Sequence, residues 1–182
     1  MSDPIADLLD LCWDSLHDGL SRADAPGRLP VLATVSPDGL PQARTVVLRA
    51  AARLGRWAEV HTDAASSKVD DLRGKPHAAL CIWDAPRNLQ IRIAARVSVL
   101  TGPAAAAHWA SVPTSSRAGY GAVPPPGTPI DGPLAYQRQA TPDGHAVLHL
   151  TFAAIDLLTL GPPQRRALFR AEDGWAGQWL SP

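Results

Sequence analysis

Apolar and polar positions alternate with a period of two along much of this chain, and only a few stretches repeat at helical spacing. The clearest helical stretch is residues 4–20, where Ile5, Leu8, Leu9, Cys12, Leu16 and Leu20 fall on one face. Ser2 or Asp3 suits the cap of that helix and Pro4 its first position. The pattern then breaks at "ADAPGRLP". Strands are expected over 29–36 and 40–51, with Pro37-Asp38-Gly39 as the turn of a hairpin between them. A third strand is expected over 56–62. A short helix follows from about Ser67 to Arg73, closed by Gly74, and a fourth strand over 77–83. Residues 87–100 show the strongest alternation. Leu89, Ile91, Ile93, Val97 and Val99 face one way, and Gln90, Arg92, Arg96 and Ser98 the other.

"GPAAAAHWASV" reads as a helix with Pro103 near its start. Residues 113–145 carry Pro113, Pro124, Pro125, Pro126, Pro129, Pro133 and Pro142 and read as a long loop rather than a core element. Three more strands are expected over 146–160, 165–172 and 174–182. The sum is roughly seven or eight strands, mostly joined by hairpins. Regular strand–helix alternation is missing, which argues against a parallel, doubly wound sheet. A mainly β chain of this kind removes its sheet edges by closing into a small antiparallel barrel, with a few short helices outside it.

Composition narrows the function classes. A length of 182 residues suits one domain, residues 1–182, with an N-terminal helix over 1–22 and the 113–145 loop as its parts. Lys+Arg and Asp+Glu are both 17, so a broad nucleic-acid-binding face is not expected, while a local cationic pocket stays open. Cys12 and Cys81 form no CxxC pair and read as buried thiols in a reducing cytosol. The acidic start "MSDPIADLLDLCWDSL" does not read as a signal peptide, and no apolar stretch reaches membrane-spanning length. The expectation is a soluble, cytoplasmic protein with no membrane partner.

Three stretches are candidates for chemistry. In "HTDAASSKVDDL" (61–72), Ser67 and Asp70 fit a capping box, Ser66 adds a second hydroxyl, and Lys68 places a cation at the helix entrance. A helix start prefers acidic residues, so the lysine is out of place unless an anion sits there. Free N–H groups, hydroxyls and a cation suit a phosphate, although a plain capped helix with a solvated lysine has the same sequence. In "RTVVLRA" (44–50), Arg44 and Arg49 sit in an apolar run, and simple alternation turns them to opposite faces. Gln90 offers a two-sided hydrogen-bonding group on the polar side of its strand. Histidines 17, 61, 77, 108, 145 and 149 show no metal-ligand spacing, so no metal is expected. No G-x-S-x-G, P-loop or G-x-G-x-x-G is present. The six tryptophans read as core or interface packing.

In this order, "RTVVLR", "HTDAASSK" and "NLQIRI", with the ending "W…WLSP", resemble the pyridoxamine 5′-phosphate oxidase family, the FMN-binding split barrels. The resemblance implies an antiparallel split β-barrel of Greek-key type and FMN as cofactor. It implies that Arg44 and Lys68 meet the FMN phosphate with Ser67 and Ser66 donating. The backbone of Thr45, Val46 and Val47 would run along the flavin, with His61, Thr62 and Gln90 as further contacts. Arg166, or its neighbour Arg165, matches an arginine that reaches the flavin. It further implies a homodimer with the cofactor at the subunit interface, so that both subunits contribute.

The family's vitamin-B6 oxidases hold their substrate phosphate with a Lys, a Tyr, an Arg and a Ser. Here the matching positions are Arg49, His108, Val112 and Ser116; a tryptophan position is Leu158, and "GPPQRRALF" stands in place of an R-x-H-D-R-like motif. Arg49, His108 and Ser116 are therefore the expected lining of a substrate pocket, in a branch divergent from the B6 oxidases. The resulting expectation is an FMN-dependent oxidoreductase acting on an unidentified small molecule, with no catalytic residue assigned. A non-catalytic flavin carrier or sensor, and a barrel without a cofactor, are the alternatives.

Overall fold

A computed structural model describes residues 3–182. Helix α1 spans Pro4–Ser21 and is capped by Asp3, whose carboxylate accepts from the Ile5 N–H; Ser2, the other expected cap, lies outside the described residues. Along the chain follow β1 (Val31–Val35), β2 (Pro41–Thr45), β3 (Leu48–Ala52), β4 (Trp57–Asp63), α2 (Ser67–Gly74), β5 (His77–Asp84) and β6 (Leu89–Thr101). The second half holds α3 (Ala106–Ser111), α4 (Thr114–Arg117), β7 (Ala122–Val123), β8 (Gln137–Arg138), β9 (His145–Thr159), β10 (Arg165–Arg170) and β11 (Gly177–Leu180). No described helix is long and apolar enough to cross a membrane.

Nine strands form one antiparallel sheet in the order β11-β10-β9-β6-β5-β1-β2, with β4 added to β9 and β3 to β4. Strand β9 makes this a barrel. Its first half, 145–151, pairs with β4, and its second half, 154–159, with β10, while β6 runs along both. The register shifts at Ala153, where β9 changes partner, and an extra residue at such a point lets the strand bend. The core fills the barrel with Leu32, Leu48, Leu80, Ile91, Ile93, Leu148 and Ile155, all inaccessible to solvent. From α1, Leu8, Cys12, Trp13 and Leu16 join the core, and Trp13 stacks on Phe152 with ring centroids 5.8 Å apart. Burial pushes the Cys12 thiol up to about 12. Close approach of α1 to the turn Pro26–Arg28 depends on glycine. A Cβ on Gly27 would lie 2.0 Å from the Ser15 carbonyl oxygen.

Several expectations are corrected. The apolar run 40–51 is two strands: the chain leaves the β1 hairpin after Thr45, and Leu48–Ala52 pairs with β4 instead. Arg49 occupies a bulge in β3, between the pairs Leu48–Val60 and Ala50–Glu59. Alternation cannot be counted from Arg44 through a break and a bulge, so the two-face reading of Arg44 and Arg49 does not apply. Cys81 is exposed on the outer face of β5, not buried. The 113–145 segment, read from the sequence as a long loop, holds α4 and the β7–β8 pair, and it buries Tyr120.

Candidate functional site

The site grows from the turn between β4 and α2. Thr62, Asp63 and Ser66 are all buried there, and Ser66, not Ser67, is the residue at the helix cap. The Ser66 hydroxyl does not close a capping box. It donates to the Asp63 carbonyl at 2.7 Å and lies 3.3 Å from the Thr62 hydroxyl. The Asp63 carboxylate accepts from the Ala65 N–H at 2.9 Å, and across the loop from Gly121 at 2.7 Å and Ala122 at 3.0 Å. Asp63 therefore fixes the turn and ties the long loop to it.

Two cations converge on this turn. Lys68 donates to the Thr62 hydroxyl at 3.0 Å. Arg44 donates to the Thr34 hydroxyl at 2.6 Å and approaches Asp71 at 3.4 Å, while Thr34 donates to Asp71 at 2.6 Å. Asp71 is 4% exposed and orients the guanidinium. The Lys68 ammonium has its pKa lowered, first by burial and then by the positive charge of Arg44, with Asp63 and Asp71 opposing. The two cations repel, and an anion placed between them would offset that repulsion. The structure thus brings together Arg44, Thr62, Ser66 and Lys68, with Ser67 exposed at the helix start. Thr45 ends β2 beside Arg44, and Val46 and Val47 interrupt the strand, where the Val46 N–H donates to the Pro30 carbonyl at 3.0 Å.

Gln90 and Arg166 stand elsewhere. Cross-strand register places Trp83, Gln90, Leu158, Arg166 and Leu180 in one row on the outer face of the sheet. Arg44 lies in the row Arg44–Leu32–Leu80–Ile93, on the core face. One chain therefore does not join Gln90 and Arg166 to Arg44 and Lys68. Arg165 pairs with Thr159 and falls on the opposite face from Gln90, so Arg166 is the arginine that shares the Gln90 row. Arg166 is held by Asp156 through two hydrogen bonds of 3.0 and 2.8 Å.

On the other side of β4, a cavity of about 180 Å³ is lined by Arg49, His61, Ser111, Val112 and Pro113. Ser116 does not line it; the hydroxyl there is Ser111's, which donates to the His108 carbonyl at 2.7 Å. His108 stands behind His61, with their rings edge-on at 6.0 Å. Burial pushes the Tyr120 hydroxyl up while Arg49, beside it, pulls it down.

Sequence reasoning missed Glu59 and His145. Glu59, 8% exposed, lies 3.0 Å from His149 Nδ1 and 3.4 Å from His108 Nε2. A period-two pattern gives Glu59 no mark; only its partners do. His145 is fully buried and neither ring nitrogen has a hydrogen-bond partner. Its neighbours are the rings of His61 and Tyr120 at 4.9 Å and Trp109 at 5.4 Å. Burial lowers the His145 pKa, and burial followed by His145 and Arg49 lowers that of His61 to about 4. Among the described residues, no group of three His, Cys, Asp or Glu is arranged to hold a metal ion.

The shared strand β9 and the rim turn define a split β-barrel protein. The chain belongs to the pyridoxamine 5′-phosphate oxidase family, whose sequence profile matches residues 28–158. A pyridoxine/pyridoxamine 5′-phosphate oxidase of Myxococcus xanthus strain DK1622 is 37% identical over 89 residues, covering 49% of this chain and 42% of the relative. The enzyme of the same description from Pseudomonas entomophila strain L48 is 31% identical over 140 residues, covering 64% of each. The chain thus spans less than two thirds of these relatives. A solved structure of a pyridoxamine 5′-phosphate oxidase-related, FMN-binding protein from Nostoc punctiforme superposes with a TM-score of 0.78 at 26% identity, over all of both chains. The structure of PhzG from Burkholderia lata shares the fold, with a TM-score of 0.74 at 16% identity, covering 100% of this chain and 94% of that one.

Proposed function

We propose that the protein binds FMN and works as a flavin-dependent oxidoreductase on a small molecule. The observation that carries this reading is the convergence of Arg44 and Lys68 on buried hydroxyls at the start of α2. A phosphate monoester fits that chemistry. Arg44 and Lys68 would hold its charge and Thr62 an oxygen, joined by Ser66 once its hydroxyl turns from the Asp63 carbonyl, with Ser67 at the open helix start. The Thr45–Val47 backbone and His61 would line the route from this turn toward the Arg49 cavity. Bound FMN would supply hydride or electron transfer, which no side chain of this chain provides. The protein's part is to position, to exclude water and to set charge. The FMN-binding relative from Nostoc punctiforme lends the reading further support.

The same reading includes a homodimer. Ala43, Ala33, Ala79, Ala94 and Ala154 form one cross-strand row on the outer face, over five adjacent strands. Val31, Val35 and Trp83 are exposed around it, Trp83 at 47%. A row of small side chains, bordered by these apolar residues and by the Arg92–Asp156–Arg166 ion pairs, suits close approach of a second copy. That copy would also bring Gln90 and Arg166 to the cofactor, which one chain cannot do.

The test is direct. The purified protein should be yellow, with a blue-light absorbance band released on denaturation, and the band should bleach with NAD(P)H or with an amine or alcohol donor. A colourless protein that takes up no FMN would sink the cofactor reading. A flavin carrier is the second reading, favoured by buried Val112, which puts an apolar wall at a position where the B6 oxidases place an arginine. Bound flavin that no donor reduces would favour it.

A further inference from the structure

We propose that the cavity at Arg49 is a subsite for a small carboxylate, a planar monoanion, and that it rejects phosphate monoesters. This rests on the reading that the cavity receives the substrate, and it names the substrate's chemical class.

The size comes first. About 180 Å³ holds one end of a ligand rather than a whole one, since complete small-molecule sites run to several hundred Å³. The charge count comes next. Of the five lining residues, Arg49 alone carries a permanent charge. No ion pair engages it among the described residues; it bonds the Tyr120 hydroxyl, and the rest of its five-donor fork is left for an incoming anion. His61 stays neutral near pH 7, because burial and the nearby positive charge of Arg49 hold it low. Behind it, His108 and His149 flank the Glu59 carboxylate, and neither lines the cavity.

The donor count agrees. Val112, 5% exposed, and Pro113 offer no polar group. The Ser111 proton is already given to the His108 carbonyl. Among the lining residues, the guanidinium of Arg49 and an N–H of His61 remain. A guanidinium matches the two oxygens of a carboxylate through parallel hydrogen bonds. A phosphate monoester brings about 1.5 to 2 negative charges and three acceptor oxygens near neutral pH. Its extra charge and third oxygen would be desolvated here with no partner.

The experiment is calorimetric titration of the whole protein with benzoate and with phenyl phosphate, in parallel with and without saturating FMN. Benzoate is expected to bind about tenfold or more tightly than phenyl phosphate, the scale of one charge-assisted hydrogen bond. Arg49→Leu should remove benzoate binding, and Arg49→Lys should retain part of it. Val112→Arg, which adds a second cation, should raise phenyl phosphate affinity about tenfold. Circular dichroism checks that each variant is folded. Phenyl phosphate binding as tightly as benzoate, no binding of either, or benzoate binding that survives Arg49→Leu would each overturn the proposal. Binding of benzoate without any uptake of FMN would keep this proposal and sink the flavin reading. Uptake of FMN without benzoate binding would do the reverse.

Discussion

Lys68 reaches back from the first turn of α2 and donates to the Thr62 hydroxyl at the end of β4, 3.0 Å away. That bond folds a long flexible cation onto the turn, beside Arg44, instead of letting it extend into water. A lysine at a helix start works against the helix dipole. Its position is accounted for when an anion completes the group, and the predictions below follow from that arrangement.

Removing either cation should weaken FMN binding. Each charge-assisted hydrogen bond contributes about 1.5–3 kcal/mol, so Lys68→Ala and Arg44→Ala should each lower FMN affinity roughly 10- to 100-fold. Quenching of flavin fluorescence on titration measures it. FMN affinity unchanged in both variants would place the phosphate elsewhere.

Asp63 should matter for stability and for the loop. Its carboxylate accepts from three backbone N–H groups, two of them in the 113–145 segment. Asp63→Ala leaves those donors without a protein partner, at a cost on the order of 1–3 kcal/mol each where water cannot replace it. The urea midpoint should fall and limited proteolysis should cut first between residues 113 and 145. A loop as resistant as that of the parent protein would contradict this role.

Acid should destabilise the fold through His61 and His145. Both folded-state pKa values lie below the ordinary histidine value of about 6.5. In the window between, the unfolded chain binds more protons than the folded one, so stability rises with pH there. Stability should be level above about pH 6.5 and should fall from there toward about pH 4, where His61 titrates in the folded protein. His145→Phe should flatten that fall. It removes two unpartnered buried nitrogens, so it should cost little stability near neutral pH. Thermal melts across pH measure both, and a pH dependence identical in His145→Phe would exclude His145 as a contributor.

Ala79→Arg should split the dimer. Ala79 sits in the middle of the alanine row, and an arginine there would be buried unpaired against a second copy. Sedimentation at micromolar concentration should show monomers, and FMN affinity should drop because Gln90 and Arg166 no longer arrive from the partner. A variant that stays dimeric and holds FMN as before would move the interface to another face.

Much of the barrel was legible because periodicity is a local property. The alternation from Leu89 to Val97 became the buried and exposed sides of β6, and the Pro37-Asp38-Gly39 turn formed with Gly39 at φ +89°. The make-up of the rim turn was also legible, since Thr62, Ser66 and Lys68 lie within seven residues. The cap was misplaced by one residue, because Ser66 and Ser67 differ only in which of them the fold buries.

What the sequence alone determined, then, was where most of the longer strands lie, the helical stretch of α1, and a cluster of phosphate-compatible side chains. The tertiary structure decided where strands pair. Residues 40–51 carry one continuous apolar pattern, and only the pairing of Leu48–Ala52 with β4 breaks it after Thr45 and bulges it at Arg49. It also gave Glu59 its histidines, left His145 unpartnered among aromatic rings, and put Gln90 and Arg166 on the face away from Arg44. The reason is the same in each case. Side-chain direction along a strand repeats every two residues and can be read locally, whereas pairing, bulging and the burial of a polar group depend on residues tens of positions away.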